Sequence, residues 1–280
     1  MASGSVTISS ESSRAQRSAP NEERGGIPKR FEQLKAEGKR ALVPYITAGY
    51  PDAERTIDLL NGLQDAGADV IELGLPFSDP MADGPVIQAS SQRALEQGMN
   101  FDRLLELVSR ARPRVPLVLF SYLNPILAAG GDALTRAADA GFSGLLLTDL
   151  PVGSDPDLES RIGEGPLSFV RLVAPTTPLD RMKEIADHGS GFVYLISSLG
   201  VTGMRDNLSA ELPATVKRLR EATTLPVCVG FGVSRPEQAA QVARIADGVV
   251  VGSAIVRAAG EDVQKAVALA ASLCAAIDAA

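Results

Sequence analysis

Glu72, Asp79 and Asp83 lie in one short stretch, Glu72-Leu73-Gly74-Leu75-Pro76-Phe77-Ser78-Asp79-Pro80-Met81-Ala82-Asp83-Gly84-Pro85, in which three prolines precede Asp83 or directly follow its glycine. Glu72 stands near the end of the run Asp69–Gly74. Alternate residues of a strand share a face, so Ile71 and Leu73 would turn one way and Val70, Glu72 and Gly74 the other. A carboxyl group among apolar side chains is costly to ionise, so its pKa rises and it becomes a usable general acid or base near neutral pH. A glutamate paired with a buried Lys or Arg would explain the position equally well; the strand-like runs offer only Arg171, which lies mid-run. Asp83, Asp79 and Asp149 each have two readings. Each could do chemistry, and each could equally be a turn residue, a helix N-cap or a partner for a nearby backbone N–H.

The remaining chemistry is limited by what the chain lacks. Its one histidine, His188, precedes Gly189 and reads as a helix C-terminus. A Ser-His or Cys-His couple and a multi-histidine metal site are therefore not expected. The two cysteines, Cys228 and Cys274, have no metal-ligand spacing, which suits a reducing cytoplasm, and Cys228 reads as core. The net charge of -7 gives no general attraction for nucleic acid or anionic membranes. No apolar run reaches the roughly 18 residues of a membrane helix.

These residues need a scaffold, and the chain shows a repeating one. Short apolar runs recur at Ala41–Thr47, Asp69–Gly74, Leu117–Tyr122, Gly144–Asp149, Phe169–Ala174, Phe192–Ser197, Pro226–Gly230 and Gly248–Gly252. Continuous rather than alternating apolarity is the pattern of parallel strands covered on both faces. Between them lie segments of helical period: Asp52–Ala66, Phe101–Ala111, Asp132–Ala140, Leu179–Asp187, Leu212–Glu221, Pro236–Ala243 and Asp262–Ala276. About eight such β-then-α units predict a (β/α)8 TIM barrel, with extra elements in the long loop after the second strand. A doubly wound open sheet is the other candidate, weakened by the lack of GxGxxG after the first run. Residues 1–27, rich in Ser, Arg and Glu, read as a disordered tail, and 28–280 as the single barrel domain. The tail has no apolar segment of a secretory signal, and its three glutamates argue against a transit peptide.

In such a barrel the active site lies at the carboxyl ends of the strands, often with a phosphate site in the loops after the seventh and eighth. Gly232-Val233-Ser234 and Gly252-Ser253-Ala254 each lead from a strand to a helix, and Gly203 lies in the preceding loop. Glycine lets backbone N–H groups approach an anion, and a helix start adds its positive end. Singly each glycine could be a tight turn; three loops meeting on one side favour a phosphate site. These turns carry no Lys or Arg, so neutral N–H donors would make the contact.

The second-loop stretch, continued through Val86-Ile87-Gln88, closely resembles the tryptophan synthase alpha subunits. So do Pro44-Tyr45-Ile46-Thr47-Ala48-Gly49, Ala174-Pro175-Thr176-Thr177-Pro178, Gly200-Val201-Thr202-Gly203, Gly230-Phe231-Gly232-Val233 and Gly252-Ser253-Ala254-Ile255-Val256, the likeness covering about residues 28–270. The resemblance implies a lyase that splits indole-3-glycerol phosphate into indole and glyceraldehyde 3-phosphate by a retro-aldol step. It implies Glu72 as the acid-base residue at the indole carbon and Asp83 as the anion holding the indole N–H. Gly203, Gly232, Gly252 and Ser253 would bind the phosphate, Tyr45, Phe120, Tyr194 and Phe231 would line the indole pocket, and Thr202 would belong to a closing loop. No cofactor is expected in this chain. The implied partner is a beta subunit carrying pyridoxal phosphate, in an alpha2beta2 heterotetramer, met by Asp79, Pro80, Asn124 and Pro125. Two departures stand out: Val152-Gly153-Ser154-Asp155 where many members carry paired acids, and Ser198-Leu199 where some have Arg-Ser. A phosphate-binding sugar isomerase, a stand-alone indole-releasing lyase and a weakly active partner that gates a beta subunit are the competing functions.

Overall fold

A computed structural model describes residues 26–196, 210–230 and 232–280. Eight strands close a barrel in chain order: β1 (Ala41–Thr47), β2 (Ile71–Gly74), β3 (Leu117–Ser121), β4 (Phe142–Leu147), β5 (Ser168–Val173), β6 (Val193–Ile196), β7 (Val227–Gly230) and β8 (Gly248–Val251). All neighbours are parallel, including β8 with β1. Helix α1 (Ile27–Ala36) precedes the barrel, and α2 (Ala53–Asp65) follows β1. The long gap after β2 holds both α3 (Pro85–Glu96) and α4 (Phe101–Ala111), as its length led us to expect. Then come α5 (Leu123–Ala128), α6 (Ala133–Ala140), α7 (Pro156–Gly163), α8 (Leu179–Asp187), α9 (Leu212–Ala222), α10 (Pro236–Ala243), α11 (Ser253–Glu261) and α12 (Val263–Asp278).

The helices begin where side chains satisfy their first amides. Asp52 accepts from Arg55 N at 2.9 Å, and Asn100 from Arg103 N at 3.0 Å. Pro85, Pro156 and Pro236 occupy first turns, where the missing N–H costs nothing. Alternation in the strands divides the core in two. Ile71 and Leu73 join the outer cluster against the helices, while Val70 joins Val43, Val118, Leu146, Val170, Cys228 and Val250 inside the barrel. Ile27, Phe31 and Leu34 of α1 plug the amino-terminal end, with Phe31 and Phe192 ring centroids 5.7 Å apart. Asp69 fastens that plug, accepting from Arg30 at 2.5 Å and from Leu42 N at 2.8 Å.

Five helices, α1, α3, α5, α7 and α11, lie outside the seven segments of helical period. In α7 the reason is chemical: its buried positions are Glu159 and Ile162, so a charge interrupts the apolar stripe. Glu159 pairs with Arg171 at 2.9 Å and accepts from Gly153 N at 2.8 Å, and Arg171 also donates to the carbonyls of Leu150 and His188. Arg171 therefore faces the helix layer and is engaged there, and Glu72 must be accounted for without it. His188 is the C-cap of α8, its Nδ1 2.8 Å from the carbonyl of Glu184. Among the described residues no helix is long and apolar enough to cross a membrane.

Candidate active site at the carboxyl ends of the strands

Glu72 sits in β2, side by side with Tyr45 of β1 and Val118 of β3. Its side chain is 1% exposed, and among the described residues its Oε1 has no hydrogen-bond partner. Burial alone pushes its pKa up to about 8, so the carboxyl group is protonated at neutral pH. A buried acid with one oxygen left unbonded is a poor structural element and a well-placed proton donor.

Asp83 comes from the loop between β2 and α3. The residue capping α3 is Gly84, with no side-chain bond, so Asp83 is not the cap. Its carboxylate instead accepts from the Tyr122 hydroxyl at 3.1 Å, and that oxygen accepts from Ala82 N at 2.9 Å. Gln88 donates to the Asp83 carbonyl at 2.9 Å, and Phe77 stacks near Tyr122 with centroids 5.0 Å apart. These contacts hold the loop against β3. Burial raises the Asp83 pKa to about 6, with the Tyr122 bond opposing the rise. Tyr122→Phe keeps the ring contact and removes the bond. Asp83 should then titrate higher, so turnover at pH 6.5 falls several-fold and the loss shrinks toward pH 8; a parallel pH profile would show that the bond does not tune Asp83.

The other two acids resolve differently. Asp149 accepts from Leu123 N at 2.7 Å, the backbone reading. Asp79 is exposed and accepts from the Ser78 hydroxyl at 2.5 Å, outside the cleft.

The cleft is lined by Glu72, Asp83, Tyr45, Phe120 and Tyr194. Tyr45 and Phe120 meet edge to face, 5.1 Å between centroids. A Cβ on Gly74 would lie 2.1 Å from the Tyr45 hydroxyl, and one on Gly230 2.2 Å from that of Tyr194. These two glycines thus make room for the pocket tyrosines. The segments after β7 and β8 line its phosphate end with Gly232, Val233, Ser234, Gly252, Ser253 and Ala254, Gly252 standing next to Tyr45. The amides of Ser234 and Arg235 are already bonded to the Gln238 side chain, at 2.9 and 3.1 Å. At α11 no side chain caps the Gly252 end, and Gly252, Ser253 and Ala254 of that end line the cleft. Thr202, Gly203 and Phe231 lie outside the described residues.

An acid held protonated, an aspartate poised to ionise, aromatic walls and an uncapped helix start share one cleft. The family comparison agrees with that chemistry: residues 31–279 match Tryptophan synthase alpha chain. The chain belongs to the tryptophan synthase alpha chain family. A tryptophan synthase alpha chain from Desulfatibacillum aliphaticivorans is 47% identical over 241 residues, 85% of this chain and 91% of its own length. One from Arabidopsis thaliana is 44% identical, over 84% of this chain and 87% of its own. The solved tryptophan synthase subunit alpha of Legionella pneumophila superposes with a TM-score of 0.83 at 39% identity, covering 91% of this chain and 98% of that one. A tryptophan synthase structure from Mycobacterium tuberculosis also gives 0.83, at 35% identity, covering 90% and 98%. The reaction of tryptophan synthase alpha chains is the retro-aldol cleavage of indole-3-glycerol phosphate, and the family is a lyase component working with a beta subunit.

Sequence reasoning missed several residues of this tryptophan synthase alpha chain cleft: Val86, Ile87, Val233, Ser234, Val250 and Arg257. Only Arg257 left a usable trace, standing four residues after Ser253 on a helix that starts there. Asp79, Pro80, Asn124 and Pro125 are not among the lining residues. Asp79 and Asn124 are exposed, beside Met81 at 88% and Leu127 at 55% exposure.

Proposed function

We propose that Glu72 and Asp83 carry out the cleavage of indole-3-glycerol phosphate in this chain. The observation that carries the reading is the buried Glu72 carboxyl, its Oε1 without a hydrogen-bond partner among the described residues, lining the same cleft as Asp83. Indole C3 is a poor carbanion leaving group, so it is protonated before the C–C bond breaks. Protonated Glu72 supplies that proton and becomes a carboxylate. Positive charge then spreads to the ring nitrogen, where ionised Asp83 accepts the N–H and stabilises it. The C3–C1′ bond breaks and its electrons restore the aromatic ring. The C1′ hydroxyl loses its proton to the Glu72 carboxylate and becomes the aldehyde of glyceraldehyde 3-phosphate, which resets the acid. Tyr45, Phe120 and Tyr194 enclose the indole, and the amides of Gly232, Gly252 and Ser253 receive the phosphate; the family resemblance adds Phe231 to the indole wall, Gly203 to the phosphate contacts and Thr202 to the substrate contacts.

The partner is a beta subunit in an alpha2beta2 assembly, its pyridoxal phosphate consuming the indole, with no cofactor in this chain. Asp79, Pro80, Asn124 and Pro125, on the exposed rim beside the cleft, form the docking face. The cytoplasm is the compartment consistent with free Cys228 and Cys274. The deciding experiment measures indole release from indole-3-glycerol phosphate by the full chain, alone and with a beta subunit. Slow release that rises sharply with beta supports the reading. Fast release alone makes the chain a stand-alone lyase, and no release from folded protein in either condition overturns the proposal.

A further inference from the structure

The phosphate of the substrate is a dianion, and it must enter a cleft that holds ionised Asp83 beside the protonated, neutral Glu72, in a chain of net charge -7. Neutral amides and a helix start supply only partial charge against that repulsion. Among the described residues lining the cleft, Arg257 is the one cation. It stands on α11 one turn after Ser253, hence on the same face. Helical side chains lean toward the amino terminus and cover the preceding turn, which here is the Gly252–Ser253 turn itself. The next acid along the helix, Glu261, lies 2.8 Å from Lys265 and also feels the charge of Arg257.

We propose that Arg257 is the specificity-determining cation of the phosphate end: its guanidinium recognises the phosphate dianion of the substrate and of the aldehyde product, and so selects phosphorylated over unphosphorylated indole glycerol. This rests on the phosphate-end reading above. Arg257 acts on capture, since it stands on the helix that begins at the Gly252–Ser253 turn and not on the strand that carries Glu72.

The test compares wild type, Arg257→Gln and Arg257→Lys in steady-state cleavage, with inorganic phosphate as the competing probe. At low ionic strength Arg257→Gln should raise KM about three- to tenfold and weaken phosphate inhibition by the same factor, with kcat within about twofold. The difference should shrink near 0.5 M salt, where the Debye length falls to about 4 Å. Arg257→Lys should restore most of the loss, since it keeps the charge. Equal KM and equal phosphate inhibition in wild type and Arg257→Gln would overturn the role of Arg257 while leaving the phosphate end in place. Failure of phosphate to compete even in wild type would overturn both.

Discussion

Replacing Glu72 with Gln is expected to lower indole release by about three orders of magnitude, within the range a positioned acid contributes. The substitution preserves shape and removes only the transferable proton, so fold and phosphate binding should persist. The pH dependence sharpens the test. Glu72, with its pKa pushed up to about 8, must be protonated, while Asp83, at about 6, must be ionised. The kcat/KM profile of the wild type should therefore form a plateau between about pH 6 and 8, and Glu72→Gln should leave a low activity lacking the alkaline limb. Stability follows the same group. Its folded pKa lies above its unfolded value of 4.5, so the ionised form is penalised only in the folded chain. Stability is fully present below about pH 4.5 and is lost as pH rises toward 8. Each unit is worth about 1.4 kcal/mol, so Glu72→Gln should gain on the order of a few kcal/mol at pH 8 and almost nothing at pH 4.5, read from denaturant midpoints. Rates like those of wild type would end the proton-donor role, and a pH-independent stability difference would end the account of the pKa.

Asp83→Asn is expected to lower kcat about a hundred- to a thousandfold. The amide oxygen can still accept from Tyr122, so the loop remains held and the loss reports the missing charge at the indole nitrogen. The acidic limb near pH 6 should vanish with it. An unchanged kcat would reduce Asp83 to a loop residue whose bond to Tyr122 is its whole function.

The barrel was legible because fully covered parallel strands must be apolar on both faces, and Ala41–Thr47 or Gly248–Gly252 could hardly be read otherwise. Glu72 was legible for the complementary reason: a strand that alternates faces assigns it to the barrel interior before any contact is known. Helix α7 was not legible, because Glu159 occupies a core position and only its partner Arg171, on β5, makes that tolerable. Nor could spacing tell the aspartates apart. Asp83 and Asp149 sit in similar proline-containing loops, and what separates them is the Tyr122 hydroxyl at one and the Leu123 amide at the other.

By itself, then, the sequence determined the repeating units, the inward face of Glu72, the residue types of the pocket and the resemblance to its family, since these depend on local period and identity. The tertiary structure decided which groups are desolvated and which are paired. It left Glu72 Oε1 without a described hydrogen-bond partner, gave Arg171 to Glu159, used the Ser234 and Arg235 amides on Gln238, and brought Arg257 to the cleft. Charge state and hydrogen-bond satisfaction depend on every neighbour within a few ångströms, and in a closed barrel those neighbours come from strands far apart in the chain.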